Sequence, residues 1–198
     1  MAAKTKHAVV RKKRATSPAW TPKQLSTMIR LTDKFLANKE TALLYVELLK
    51  HLCDVIPDNY VLHTYLGATL FFLEKNPEAL KVFEKAFKLN PKDPWIYNHL
   101  GLSYALVGKF DKALTNIEKG VKMDPSNTFF VCSHYEIYAL TNDYDKAREV
   151  LKKELKAGKI PLKRLCQETR DFLNSNLCPT WEKKVLTHLL NDFCSSKV

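Results

Sequence analysis

The sequence predicts an all-α chain in which helical hairpins stack into a solenoid, with about three central repeats and further helices at both ends. The first observation is a period of 34 residues, which is typical of stacked helical repeats. The residues that recur at this spacing are Pro57, Pro91 and Pro125, and Ala79, Ala113 and Ala147. The second is apolar spacing of helical phase, as in Leu66, Leu70 and Leu73. The third is the presence of only five glycines, which suits helices and leaves no material for a phosphate-binding loop.

Each period predicts one hairpin of two helices. Gly67 and Ala79 stand where the helices of the first hairpin would cross, and small residues there let the two backbones approach closely. Gly101 and Ala113 form the equivalent pair in the second hairpin. One hairpin cannot bury its own apolar face, so neighbouring hairpins must stack. The predicted repeat region is 57–159, with repeats at 60–93, 94–127 and 128–159.

This period and residue pattern resemble the tetratricopeptide repeat family. The resemblance implies that the first helices of the repeats line a concave groove, which typically holds an extended peptide. The third repeat departs from the pattern, because Tyr135 replaces the expected glycine, Glu154 a small residue and Lys159 a proline. Terminal repeats are often atypical, since they face a cap and not another repeat.

Residues 21–56 predict an N-terminal helical hairpin, with helices near 22–37 and 40–55. Thr21 followed by Pro22 is a favourable helix start. Tyr45 stands where a repeat has its small alanine. We therefore interpret this hairpin as a cap or a degenerate repeat.

Residues 160–198 predict C-terminal capping helices. Pro161 opens a helix to about Asn174, and Thr180 caps a last helix that runs to Phe193. The last helix is strongly amphipathic. We expect it to seal the end of the solenoid, and a homodimer interface is the alternative.

Residues 1–20 predict a disordered basic tail. Seven lysines and arginines in residues 1–23 supply +7 of the net charge of +11, and no acidic residue precedes Asp33. The densest run is Arg11, Lys12, Lys13 and Arg14. The simplest interpretation is a solvated arm. The alternatives are a nuclear address or a contact with RNA, a ribosome or an acidic membrane.

No catalytic, metal or cofactor motif is present, so the sequence predicts a protein that is not an enzyme and carries no cofactor. The five cysteines are odd in number and contain no C-x-x-C pair. This indicates free thiols in a reducing compartment, and hence a cytoplasmic location, with neither a zinc site nor disulfides. The apolar runs are far shorter than the roughly 20 residues that span a bilayer.

The candidate binding surface is the groove that the resemblance implies. By position, its residues are Val61, Tyr65, Ala68, Phe72, Trp95, Asn98, His99, Leu102, Ala105, Phe129, Cys132 and Glu136. The set is largely apolar and aromatic, and Trp95 with Tyr65 and Phe129 would offer a rigid wall for a bound peptide. The alternative is that individual members only pack between repeats.

Three partner classes follow from the groove and the tail. The repeats that grip the C-terminal carboxylates of heat-shock chaperones need a Lys-Asn-Arg clamp, and none can be assembled here, so that class is disfavoured. The run from Lys119 to Asp124, with Gly120 before the inter-repeat turn, is similar to the tetratricopeptide chaperones of type III secretion. That resemblance implies a chaperone for an apolar segment of a translocator. The alternative is an adaptor or assembly scaffold that uses the basic tail.

Overall fold

The structure is a computed structural model, and the residues it describes are 27, 30, 32, 34–158, 160–175 and 178–194. Every regular element among them is a helix, which confirms the predicted all-α class. The helices are α1 (Lys39–Val55), α2 (Tyr60–Phe72), α3 (Asn76–Leu89), α4 (Pro94–Leu106), α5 (Phe110–Met123), α6 (Thr128–Leu140), α7 (Tyr144–Ala157), α8 (Leu162–Asn174) and α9 (Thr180–Cys194). The helix predicted near 22–37 lies partly outside the described residues. The basic tail lies entirely outside them.

The inner helices α2, α4 and α6 begin at side-chain caps that also recur every 34 residues. Asn59 accepts hydrogen bonds from the N–H groups of Val61 and Leu62. Asp93 and Asn127 accept one each from the second residue of their own helix. These caps satisfy N–H groups that have no partner within the helix. The 34-residue spacing of Asn59, Asp93 and Asn127 is visible in the sequence.

The turn inside each hairpin also repeats, because one residue there takes a left-handed conformation. These residues are Glu74 at φ 58°, Gly108 at φ 77° and Asn142 at φ 60°. Glycine and asparagine adopt this conformation readily, whereas glutamate does so at a cost of about 1 kcal/mol. The Glu74 carboxylate in turn accepts a hydrogen bond from the Thr180 N–H, at 3.2 Å. The turn of the first repeat is thus tied to the start of the last helix.

The helices of a hairpin cross at the small residues that the sequence predicted. A Cβ placed on Gly67 would lie 2.6 Å from Cε1 of Phe83, whose ring is fully buried. A Cβ on Gly101 would lie 3.2 Å from Cβ of Ile117. Close approach therefore depends on glycine at both crossings.

Two hydrophobic cores share helix α6. The first core runs from α1 to α6, and its largest fully buried members include Tyr45, Phe83 and Phe130. Tyr45 fits in the place of a small residue because its ring stacks on Phe35, with ring centroids 4.9 Å apart. The second core joins α6 and α7 to α8 and α9. Helix α6 therefore connects the repeats to the C-terminal helices.

Two unusual residues of the third repeat, Tyr135 and Glu154, contact α9 and α6 respectively. Tyr135 is fully buried, and its hydroxyl donates to Asp192 Oδ2 at 3.3 Å. The same carboxylate accepts from Arg148 Nε at 2.9 Å. Glu154 Oε1 lies 3.5 Å from Nδ1 of His134. A glycine at 135 would remove the side chain on which the last helix rests.

The expectation of free thiols is wrong for two of the five cysteines. Cys166, near the start of α8, forms a disulfide with Cys194, at the end of α9, with a Cα–Cα distance of 5.9 Å. The two helices form a hairpin that brings these ends together, and a separation of 28 residues gives no sequence signal for it. Cys53, Cys132 and Cys178 are free and buried. The argument from free thiols to a reducing compartment therefore fails.

Two expected absences can be described only for this part of the chain. No helix within the described ranges is long and apolar enough to cross a membrane. Within the same ranges, no group of three or more His, Cys, Asp or Glu side chains could hold a metal ion.

The first prediction concerns the close helix crossing. Gly67→Ala should lower the free energy of unfolding by about 1–3 kcal/mol, because the buried Phe83 ring must shift. Gly120→Ala is the matched control, since the nearest atom to a new Cβ lies at 3.5 Å. Helix propensity predicts that this control gains up to about 1 kcal/mol. Urea denaturation measures both, and equal effects would contradict the crossing argument.

Candidate protein-binding groove

The structure places the predicted groove residues in three environments. Trp95 and Phe129 are exposed, at 41% and 44% of their surface. The half-buried members are Val61, Tyr65, Ala68, Phe72 and His99. The buried members are Asn98, Leu102, Ala105, Cys132 and Glu136. The surface available to a partner is therefore narrower than the sequence suggested.

Three rings form an aromatic edge: the exposed Trp95 and Phe129, and the half-buried Phe172. The ring centroids of Trp95 and Phe129 are 6.0 Å apart. Phe172, on α8, meets Phe129 edge to face at 5.9 Å. Trp95 is also supported from below by the buried ring of Phe130, at 4.9 Å. These contacts hold the exposed rings in place before any partner binds.

The helix caps position this edge. Trp95 and Phe129 are the residues whose N–H groups bond to Asp93 and Asn127. Each cap fixes the first turn of its helix, so the ring that follows projects from a defined point. Because the caps are 34 residues apart, the rings come from adjacent repeats.

His99 is a neutral, stacked member of the same surface. Its ring lies 4.7 Å from the Phe83 ring and nearly parallel to it, and 6.2 Å from Trp95. Burial lowers the pKa of His99 to about 4. The imidazole therefore carries no charge near neutral pH and adds to the apolar character beside Trp95.

Helix α9 contacts two of the inner helices, α2 and α6. Trp181 meets Phe71, at the end of α2, edge to face at 5.9 Å. The opposite end of α9 reaches the third repeat, where His188 stacks on Tyr144 with centroids 4.3 Å apart. The last helix thus contacts the first repeat as well as the third. Its apolar residues Val185, Leu186 and Leu189 are buried in the second core, and a homodimer interface stays a prediction.

A carboxyl pocket lies beside the aromatic edge, between α6, α8 and α9. Its principal lining residues are Thr128, Phe129, Glu136, Glu168, Phe172 and Glu182. Glu136 and Glu182 are 1% and 7% exposed and form its buried floor. Neither takes part in an ion pair within the described ranges. Glu136 Oε2 is buried without a hydrogen-bond partner.

Burial and mutual repulsion favour a single proton shared between the two floor carboxyls. Burial, followed by repulsion from Glu182, raises the pKa of Glu136 well above its usual range. Burial also raises the pKa of Glu182. A hydrogen bond between them favours a protonated Glu136 that donates to an ionised Glu182. Such a pair cannot lose its last proton without placing two negative charges in a buried site.

Glu168, at the mouth of the pocket, behaves differently. Partial burial opposes its ionisation, but hydrogen bonds from Thr128 and Arg164 outweigh this and lower its pKa. Its side chain is 36% exposed, and Arg164 Nε lies 2.9 Å from Oε1. It is therefore an ionised carboxylate that already has a cationic partner.

Sequence reasoning named Cys132 and Glu136 but missed Phe172, Glu168 and Glu182. These lie on helices outside the repeat region, so the period gives no sign of them. The tail residues Arg11, Lys12, Lys13 and Arg14 lie outside the described residues, and their role stays a prediction.

The second prediction concerns the shared proton. Because the folded state raises these pKa values, it holds more protons than the unfolded chain as the pH rises above about 4.5. The free energy of unfolding therefore falls as the pH rises from about 4.5 through the folded-state pKa values. Glu136→Gln keeps a donor to Glu182 and removes the second charge. At pH 8 it should raise the free energy of unfolding by about 1 kcal/mol or more, with little gain at pH 5.

Urea denaturation of the chain and the variant at both pH values tests this. The difference between the two proteins cancels the contribution of the histidines. If Glu136→Gln raises the free energy of unfolding by the same amount at pH 5 and at pH 8, the pair holds no shared proton.

Comparisons with known proteins match the central repeats. A family model described as "TPR repeat" matches residues 67–108, and a second model described as "Tetratricopeptide repeat" matches residues 96–127. A comparison with curated proteins found no match.

Solved structures with a similar fold include three that are described as MamA. "Crystal structure of MamA protein" is 24% identical, with a TM-score of 0.51 over 68% of this chain and 76% of that one. "Crystal structure of MamA" is 24% identical, with a TM-score of 0.50 over 68% and 82%. "MamA MSR-1 C2" is 23% identical, with a TM-score of 0.49 over 56% and 64%, so this chain spans less than two thirds of its length.

At these identities the likeness shows the fold alone. Together with the 34-residue period and the paired helices, the matches show that residues 67–127 form tetratricopeptide repeats within an all-α helical solenoid.

Proposed function

We propose that the chain is a non-enzymatic protein-binding module whose aromatic edge holds an extended apolar segment of a partner protein. The observation that carries this proposal is the pair of exposed rings, Trp95 and Phe129, supplied by adjacent repeats and supported by buried neighbours. Large aromatic rings in fixed positions dominate the energy of many protein interfaces. Covering them with apolar groups gains roughly 25 cal/mol for each Å² removed from water.

A narrower form of the proposal is the chaperone role that the Lys119–Asp124 run implies. In that role the edge would shield an apolar translocator segment from aggregation in the cytoplasm until export. Its support is the sequence resemblance and the apolar edge. The contacts of α9 with α2 and α6 limit the length of segment that could be shielded, so a short anchor of two or three apolar residues fits better than a long helix.

The alternative is an adaptor that adds a nucleic-acid, ribosome or acidic-membrane contact through residues 1–20. The support for it is the concentration of charge in that tail. Binding of this kind releases counterions and weakens steeply with salt. Binding at the aromatic edge would weaken far less, because it rests on apolar burial.

The third prediction tests the aromatic edge. Peptides selected from a phage-displayed random library on the full chain should bind Trp95→Ala and Phe129→Ala at least about tenfold more weakly, because each change removes an anchor. Leu44→Ala is the control, since Leu44 is 64% exposed on α1, away from the edge. Fluorescence anisotropy measures affinity, and circular dichroism checks that the variants fold. Unchanged affinity in both edge variants would refute the proposal.

The fourth prediction separates the two roles of the chain. If the adaptor role holds, deletion of residues 1–20 abolishes binding to single-stranded RNA or to phosphatidylserine vesicles and leaves peptide binding unchanged. The intact chain should lose this binding between low and moderate salt. Filter binding and vesicle sedimentation measure it. If the intact chain binds neither probe at low salt, the adaptor role fails and the chaperone form remains.

A further inference from the structure

The floor of the carboxyl pocket holds acidic side chains that have no cationic partner among the described residues. Its floor holds Glu136 and Glu182, and its mouth holds Glu168. The charged group on its rim is Arg164, which is already paired with Glu168. Among the groups that face the floor, Cys132 on α6 and Cys178 before α9 are thiols whose pKa values are raised by burial. Lys183 lowers the pKa of Cys178 but of no other group at the floor. No Lys, Arg or His of the described chain forms an ion pair with either floor carboxyl.

The unpartnered atom is the most specific part of this arrangement. Glu136 is 99% removed from solvent, yet Oε2 has no hydrogen-bond donor. A buried acceptor without a donor costs about 1–3 kcal/mol, and more when it is charged. A ligand that donates to this oxygen would recover that cost.

The size of the pocket selects the kind of cation. Its volume is about 30 Å³, which holds one or two groups the size of water. The –NH₃⁺ group of lysine has this size and offers three donors, whereas the guanidinium of arginine is a larger planar fork. The described residues offer no group suited to a metal ion. An organic primary ammonium is therefore the cation that fits.

The rim suits the stem of the same side chain. Phe129 and Phe172 stand at the mouth and meet at 5.9 Å, and Phe129 is 44% exposed. Lysine buries its methylene stem against apolar surface while its head reaches a polar group. Because Phe129 also belongs to the aromatic edge, the pocket and the edge would be filled by neighbouring residues of one segment.

We propose that the partner segment carries a lysine whose ammonium group binds in the carboxyl pocket, between Glu136 and Glu182, with its stem along Phe129 and Phe172. This inference rests on the proposed function, because it names the chemistry of the segment that the aromatic edge binds. The ammonium takes the place of the shared proton. Without a ligand, Glu136 and Glu182 hold one proton and together carry a charge of −1. With the ammonium bound, both are ionised, and the two carboxylates and the ammonium again carry −1 in total.

Binding should therefore release a proton and tighten as the pH rises. Below the pH at which the floor carboxyls ionise, the proton competes with the ammonium. The affinity should increase by up to about tenfold for each pH unit through that range. This increase should continue until the ammonium itself begins to lose its proton, near pH 10.

The test is an NMR titration of the ¹⁵N-labelled full chain with Nα-acetyl-lysine N-methylamide at millimolar concentrations. We expect the amide signals of Cys132, Glu136 and Thr169 to shift, and the shifts to saturate at lower concentration at pH 8 than at pH 6. The Nε-acetylated form of the same compound is the matched neutral ligand, and should produce no such shifts. The arginine analogue should bind at least several-fold more weakly.

Two variants connect the response to the floor carboxyls. Glu136→Gln and Glu182→Gln should each weaken the lysine response by about tenfold, because a charged hydrogen bond is lost. Retention of the native amide spectrum shows that each variant folds. If Glu136→Gln does not fold, Glu182→Gln provides the test. The inference is overturned by an absence of shifts, by equal shifts with the neutral compound, or by a response that neither variant changes.

The outcome also separates this inference from the proposed function. Trp95→Ala should leave the response to the lysine compound unchanged, because Trp95 does not line the pocket. If the lysine compound produces no response but peptide binding still depends on Trp95, the lysine-binding proposal is refuted and the proposed function stands. An intact lysine response with peptide binding that ignores Trp95 refutes the aromatic edge alone.

Discussion

The structure depends on one constraint, which is that a hairpin of two helices cannot bury its own apolar face. Each repeat must therefore pack on the next, and packing that close requires a small residue where the helices cross. Gly67 shows how strict this is, because Phe83 occupies the space that a methyl group would need. The caps, the left-handed turns and the prolines recur at the same period because every repeat meets its neighbours in the same way.

The constraint fails at the last repeat, which has no further repeat to cover it. Helices α8 and α9 supply the missing partner and form a second core with α6 and α7. This explains why Tyr135 replaces a glycine, since its ring and hydroxyl provide the surface on which α9 rests. The same packing leaves Trp95 and Phe129 exposed where their helices begin, while α9 contacts Phe71 at the end of α2 and Tyr135 on α6.

The buried carboxyls show where the structure accepts a cost in stability. An apolar pair would pack between α6 and α9 without desolvating any charge. Glu136 and Glu182 instead require a proton or an external cation to remain buried. Costly polar groups concentrate at functional sites, and this pair lies next to the exposed rings that the proposed function uses. The apolar edge and the acidic pocket can therefore be regarded as two parts of one surface.

The sequence by itself determined the period, the paired helices, the crossing residues and the recurrence of an aromatic residue, Trp95 and Phe129, at the second position of successive inner helices. Each of these is local or repeated, so the chain records it several times. Only the tertiary structure decided the Cys166–Cys194 bond, the pairing of Glu136 with Glu182 and the contact of Trp181 with Phe71. Each of these joins distant residues once. A single contact of this kind leaves no spacing or composition from which it could be predicted.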